Sequence, residues 1–446
     1  MRDAIEDFAN LMGSFFADID LVFSDVVAGL FLVAHSPTNV YPPIIPANTA
    51  CQSWMTAENA FHFQYFSSCV YGWPAYLLHN CGFKSIYRLL RKLQCCGKLR
   101  CDQIMIVEDN CCFCNVAAFT LSTEKKNIDI FFVSFHNELY EVPFVVFADH
   151  ETRSIVITIR GSCSVVDLVT DLCLVFGFDF MVQKVRTNLH LIRKHQVLND
   201  LTVLNPHYHL VVCGHSLGAG VASLLTLLLK QEYPDVRCFA FAPPGCVISE
   251  NGQHEMEQHV MSIVSGDDVV SRISFHAMHR LRMKVIAELN ASTKAKYEIL
   301  IRGIFRLFFN PAWETGPLSG TGGITDRDNL IVESVLNGTY GTTVNAPSNE
   351  TAATPSTNQR LTSRVELFAP GKLLYIAEDD TTEGGVTCQW IDAKCLSDVK
   401  LTASAFTDHL PKSMERMLEK IVAVNATGLP VGHGSRAPEL ASTVTI

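Results

Sequence analysis

The uncharged run from His209 to Leu229 constrains this chain more than any other segment. It is long enough to cross a bilayer, but its character is not uniform. His209-Leu-Val-Val-Cys213 is β-like, Val221 to Leu229 reads as a buried helix, and glycines 214, 218 and 220 fall between them. A strand, a tight turn and a buried helix explain the run better than a membrane span. The turn itself reads Gly214-His215-Ser216-Leu217-Gly218, a G-x-S-x-G elbow. Side chains two residues either side of a serine on such a strained turn would strike the neighbouring chain, so both positions call for glycine. The flanking strand and helix make Ser216 the candidate nucleophile; a serine in an ordinary glycine turn needs no such context.

The surrounding pattern alternates in the same way. Strand-like runs cover Ile128 to Phe135, Leu139 to Phe147 and Ser154 to Ile159, with turn signals between them. A helical stretch carries Val182, Val185, Leu189 and Ile192, and further strands are expected at 236–242 and 259–265. Strand alternating with helix predicts an α/β fold with a mostly parallel central sheet flanked by helices. Between about 313 and 364 the chain turns polar and loses periodicity, before strand-like Lys372-Leu-Leu-Tyr-Ile-Ala377 resumes. That segment reads as a long flexible insertion. The expected organisation is a helical, Cys-rich region at 1–125, a catalytic domain at 126–425 containing the insertion, and a loose tail at 426–446.

A nucleophilic serine needs a histidine base and a carboxylate to orient it, in the chain order Ser, Asp/Glu, His. Asp267-Asp268 follows the strand expected at 259–265, and the residues alone leave both open. Of the later histidines, His276 and His279 fall in an expected helix and His433 in the Gly/Pro-rich tail. His409 lies in Thr407-Asp-His-Leu-Pro411, a loop ahead of the last helix, which is where a loop-borne base should emerge. The oxyanion donors are expected to be the amide of Leu217 and that of Ser162, which ends the Ile157-Thr-Ile-Arg-Gly-Ser162 strand and turn.

Taken together, Arg160-Gly161-Ser162 with Asp167 and Asp171 behind it, the Gly-His-Ser-Leu-Gly-Ala-Gly220 elbow, and Asp268-Val-Val-Ser-Arg272 resemble a class 3 (fungal-type) lipase domain. Asp18 to Leu30, Tyr71-Gly-Trp-Pro74, Tyr140-Glu-Val-Pro-Phe144 and Asp408-His-Leu-Pro411 narrow the resemblance to the diacylglycerol lipases. The resemblance covers roughly 18–425. It implies an α/β-hydrolase fold, Asp268 rather than Asp267 as the triad acid, and no metal or organic cofactor. It also implies hydrolysis of the sn-1 ester of diacylglycerol to a 2-monoacylglycerol, such as 2-arachidonoylglycerol, and a fatty acid. Residues 313–364 would correspond to a regulatory insertion near the substrate entrance. The chain departs from the family in two ways: Ser271 stands where proline is usual, and the four N-terminal membrane helices of the animal enzymes are not seen. A peripheral protein on the cytoplasmic face of a membrane is the resulting expectation.

Composition supports part of this reading. Acidic residues outnumber basic ones 45 to 35, which argues against a nucleic-acid partner. Hydrophobic residues at 48% supply a large core and exclude wholesale disorder. Six of the sixteen cysteines crowd into 95–114 without the two paired C-x-x-C knuckles of a zinc site, so no zinc site is expected there. No secretory signal is visible, and the four N-x-S/T sequons read as chance tripeptides. Lys84 to Cys101 holds six basic and no acidic residues, with Ile86, Leu89, Leu90 and Leu93 near one helical face. A helix packed on the core and a helix lying on an anionic leaflet, with palmitoylated cysteines beside it, are both open for this segment.

Overall fold

The computed structural model describes residues 22–36, 41, 43–47, 51–92, 106–108, 113–136, 141–162, 178–194, 197–309, 365–379 and 385–427. The 313–364 insertion, the 428–446 tail, Asp167 and Asp171, His433, and Cys95, Cys96, Cys101, Cys111 and Cys112 lie outside these residues.

The described strands are β1 (Ile106–Glu108), β2 (Ile128–Ser134), β3 (Phe144–Asp149), β4 (Ser154–Ile159), β5 (His209–His215), β6 (Arg237–Phe241), β7 (Ile248–Ser249), β8 (Val260–Ser265), β9 (Leu367–Phe368), β10 (Lys372–Glu378) and β11 (Val386–Ile391). Nine of them form one sheet in the order β1-β2-β3-β4-β5-β6-β8-β10-β11, and β7 with β9 makes a small second pair. Strands β4, β5, β6, β8 and β10 run parallel to one another. Strands β2, β3 and β4 form an antiparallel meander at one side, and β11 closes the other side antiparallel to β10. This is the mostly parallel, helix-flanked α/β sheet that the alternation predicts. Of the strand expected over Leu139 to Phe147, Leu139 and Tyr140 lie outside the described residues, and the described strand begins at Phe144. Pro143 has no N–H to give a ladder, though its carbonyl accepts from the Arg160 amide at 2.8 Å.

Both faces of the sheet are covered, which explains why its central strands read as nearly unbroken apolar runs. Along β5, Leu210 and Val212 face a core built with the helices Phe178–Lys194, Val197–Leu204 and Leu217–Leu229. Val211 and Cys213, one residue out of phase, face a second core shared with the helices Ala57–Cys69 and Pro411–Thr427. The period-2 alternation thus assigns every second residue to a different layer. In the second layer Phe63 stacks on Phe239 with ring centroids 4.8 Å apart, and Met414, Met417, Leu418 and Ile421 fill the space beside Met261 and Ile263. The helix Phe23–Ala34 packs away from the sheet, with Val33 against Leu281 and Val285 and with Ala28 and Leu32 against Ile299.

The parallel order brings the carboxyl ends of β4, β5, β6 and β8 to one edge of the molecule. Ile159 pairs with Gly214, His215 with Phe241, and Phe241 with Ile263. The residues that follow these strands therefore meet above the same edge, where open α/β sheets place their sites.

The elbow depends on close backbone approach. A Cβ on Gly218 would sit 2.5 Å from the Ile159 carbonyl oxygen and 2.7 Å from the Arg160 carbonyl carbon, and one on Gly214 would sit 2.5 Å from the Gly218 oxygen. All these neighbours are main chain and cannot swing away. We expect Gly218→Ala to cost more than about 3 kcal/mol of stability or to prevent folding, read as a shift of the denaturant midpoint. Gly82→Ala, where a Cβ meets nothing within 4 Å, is the control and should be neutral or stabilising by up to about 1 kcal/mol. Equal behaviour of the two variants would contradict the steric account.

Candidate active site

Ser216 stands between β5 and the helix Leu217–Leu229 at φ 61°, ψ −129°, a conformation unusual for any residue but glycine. Its amide donates to the Phe241 carbonyl at 2.9 Å and its carbonyl accepts from Ala219 at 2.9 Å, so both flanking elements hold the strained turn. The hydroxyl points at an imidazole: Ser216 Oγ lies 2.9 Å from His409 Nε2. The other ring nitrogen, His409 Nδ1, lies 3.0 and 3.1 Å from the two carboxylate oxygens of Asp268. Asp268 is fully buried and also accepts from the Val270 amide at 2.8 Å and the Ser271 hydroxyl at 3.2 Å. The structure thus brings Ser216, His409 and Asp268 together, although 193 and 141 residues separate His409 from the other two.

Asp267 points elsewhere. Its carboxylate pairs with Lys400 at 3.0 Å and its amide donates to Asp408 Oδ2 at 2.9 Å. Adjacent carboxylates thus divide the work, one facing the imidazole and its neighbour tying down the turn. Arg272, buried just behind, reaches the Gly266 carbonyl at 3.5 Å. Burial lowers the pKa of its guanidinium, and the nearby charges of Asp267 and Asp268 work in the opposite direction. His276 and His279 lie on the helix Phe275–Ala291, outside this constellation.

Gly161 and Ser162 follow β4 beside the elbow; a Cβ on Gly161 would come within 3.2 Å of Ser216 Cβ. Leu217 opens the helix after the serine. Leu217 is thus the residue next to the serine in the chain, and Ser162 is the residue next to Gly161, which lies against the serine.

Three further residues organise the site, and residue-type reasoning assigned them no role. His215 is buried, with Nδ1 2.9 Å from the Tyr71 hydroxyl and Nε2 2.8 Å from the His409 carbonyl oxygen. A carbonyl only accepts, so Nε2 carries the proton, and Nδ1 accepts from the tyrosine O–H. Burial, and then the neighbouring His409, pushes the His215 pKa well down, which keeps the ring neutral and this tautomer in place. Tyr71 reaches the elbow because Gly72, at φ 77°, reverses the chain into the helix Trp73–His79. Asp408 is the third, its carboxylate holding the Asp267 amide one residue before the base. The Gln64 side chain adds a bond of 2.8 Å to the Pro411 carbonyl. The loop that carries His409 is thereby tied to the elbow, to the acid turn and to the helix Ala57–Cys69.

Among the described residues, one cluster has the composition of a metal site: His62, Asp149 and Glu151. Asp149 already accepts from His62 at 2.7 Å and from the Thr152 hydroxyl at 2.5 Å. Its chemistry is that of a clamp between the helix Ala57–Cys69 and the end of β3.

Residues 156–278, which contain β4, the elbow and the acid turn, match the class 3 lipase family. Over that segment the chain is similar to the class 3 lipases, and it is a carboxylic ester hydrolase. It is 28% identical over 471 residues to diacylglycerol lipase-beta of Mus musculus, a match spanning 98% of this chain and 69% of that protein. It is 27% identical over 481 residues to diacylglycerol lipase-alpha of Homo sapiens, across 94% of this chain and 43% of that protein. Secreted mono- and diacylglycerol lipase A of Penicillium cyclopium is 34% identical over 110 residues, 22% of this chain and 34% of that one. The chain thus spans less than half the length of the alpha-type relative.

The buried, neutral His215 makes a pH prediction. Unfolded, its imidazole takes a proton near pH 6.5; folded, it resists protonation. Its contribution to stability is therefore fully present above about pH 6.5 and declines as the pH falls below that value. The loss of stability between about pH 7.5 and about pH 5.5 should be smaller in His215→Gln than in the wild type, measured by chemical denaturation at each pH. Tyr71→Phe, which leaves a buried acceptor unmatched, should cost about 1–3 kcal/mol and lower kcat more than it raises KM.

Proposed function

We propose that this chain is a serine lipase that hydrolyses the sn-1 ester of diacylglycerol, releasing a 2-monoacylglycerol and a free fatty acid. The observation that carries the reading is the single imidazole with Ser216 Oγ on one nitrogen and both oxygens of Asp268 near the other. In this mechanism His409 Nε2 takes the hydroxyl proton as Ser216 Oγ attacks the ester carbonyl. Asp268 holds the Nδ1–H tautomer and stabilises the imidazolium that forms. The amides of Leu217 and Ser162 receive the charge developing on the carbonyl oxygen. The imidazolium then protonates the departing glycerol oxygen, and water repeats the sequence on the acyl-serine to release the fatty acid. Triad and amides suffice for these steps.

The substrate assignment draws on the relatives named diacylglycerol lipase, whose similarity extends over nearly the whole chain. A diacylglycerol resides in a lipid phase, so we place the enzyme at a membrane surface. No helix among the described residues is long and apolar enough to cross a membrane, and the mode of attachment in this proposal is peripheral.

Ser216→Ala should abolish both labelling by a fluorophosphonate probe and hydrolysis of diacylglycerol while leaving thermal unfolding intact. Labelling that persists in that variant at another serine would overturn the nucleophile. His409→Ala and Asp268→Asn should each reduce kcat by on the order of 10³–10⁴. Asp267→Asn should cost only a few-fold, because its carboxylate faces Lys400; the reverse ranking would reassign the acid. A panel of diacylglycerol, triacylglycerol and phospholipid tests the substrate class, and preference for either of the latter two would replace the substrate proposed here.

A further inference from the structure

The helix Phe83–Lys92 presents its apolar side chains outward. Phe83 is 93% exposed, Tyr87 64%, Leu90 61% and Ile86 43%. At 3.6 residues per turn Phe83, Tyr87 and Leu90 share one stripe with Ile86 at its border. Leu89, on the opposite side, is buried with Tyr76, Ala117 and Ala118 and fastens the helix to the protein. The arc between these two faces is basic, with Lys84, Arg88 and Arg91, and the helix contains no acidic residue. Arg88 pairs with Glu124, while Lys84 and Arg91 stand at the solvent side.

An apolar stripe edged by positive charge, on a helix already anchored through its remaining face, has the geometry of an interfacial helix. Charge narrows the occupant. The whole chain carries a formal charge of −10, so an anionic surface repels it except where basic residues concentrate. We infer that the Phe83–Lys92 helix is an element that seats this enzyme on an anionic lipid bilayer, its Phe83, Tyr87 and Leu90 entering the interface and Lys84 and Arg91 lying at the headgroups. The inference deepens the lipase reading and rests on it for its purpose, since a bilayer is where a diacylglycerol is found.

The placement is suited to that purpose. The chain runs from Tyr71, which bonds His215 beside the nucleophile, through the helix Trp73–His79 and directly into Phe83–Lys92. Trp73 and Leu78 on the intervening helix are exposed, as are Phe406 and Leu410 on either side of His409.

The test uses the full chain, with co-sedimentation on vesicles of pure phosphatidylcholine and of mixed phosphatidylcholine and phosphatidylserine. The wild type should partition more strongly onto the mixed vesicles, and added salt should weaken the difference. Phe83→Glu/Leu90→Glu should reduce partitioning onto both vesicles by at least about tenfold. Lys84→Glu/Arg91→Glu should reduce it by about tenfold on the mixed vesicles and little on the neutral ones. All variants should keep wild-type hydrolysis of a small soluble ester, because these side chains touch neither the triad nor the core. Unchanged vesicle binding in both variants overturns the inference. So does a change in molecular mass by light scattering in place of a change in binding, which would make the face a contact between copies of this chain. Failure of the wild type to hydrolyse any lipid ester would sink the lipase reading instead, and vesicle binding would still decide the docking helix.

Discussion

The site depends on one strained piece of backbone. Ser216 holds a positive φ only because Gly214 and Gly218 let the turn press against itself and against the end of β4. The bonds that keep it there come from the Phe241 carbonyl on one side and the first turn of the following helix on the other. That helix is buried along most of its length in the larger of the two cores. Burial of each of its buried leucines and its valine is worth roughly 1.5–3 kcal/mol, enough in aggregate to hold a local strain of about 1–3 kcal/mol. Strain, core and exposed chemistry are in this sense one construction: the sheet supplies the force and the elbow directs the hydroxyl.

The proposed base is held differently. His409 sits on a loop, and a loop positions a side chain only as well as it is tied down. Here a second imidazole does much of that work. His215, next to the nucleophile in sequence, donates to the main-chain carbonyl of His409 and takes its own orientation from Tyr71. The residue beside the serine therefore fixes the height of the loop over the serine. Asp408 fixes the other side by holding the Asp267 amide. The turn after β8 and the His409 loop are thus linked through the Asp268–His409 pair, through Asp408 one residue earlier, and through the Val269 amide on the Ala405 carbonyl.

Ser271, which stands where the resemblance leads one to expect proline, supplies a hydroxyl that a proline could not. Ser271 Oγ lies 3.2 Å from Asp268 Oδ2, adding a third kind of donor to a carboxylate that also receives the Val270 amide and the His409 ring. These donors fix the buried carboxylate in one orientation, with both of its oxygens turned toward the His409 ring.

Much of this was legible in the chain itself. The elbow could be recognised because strand, glycine spacing and helix are local features, and the α/β alternation because hydrophobic periodicity is local too. Chain order and loop placement singled out His409 from four histidines. What local reasoning left open was decided by contacts between distant residues. Asp267 and Asp268 are equivalent in sequence context, and only the packing turns one carboxylate to His409 and the other to Lys400. Tyr71 and His215 stood within motifs already singled out, but their partnership spans 144 residues and has no local signature. The apolar and basic residues of 84–101 fitted both a packed and a surface-lying helix. The tertiary structure separates these alternatives by residue: Leu89 is the buried contact, while Phe83, Tyr87 and Leu90 face outward. Periodicity reveals that a helix has a face; which face finds a partner depends on what the rest of the chain brings to it.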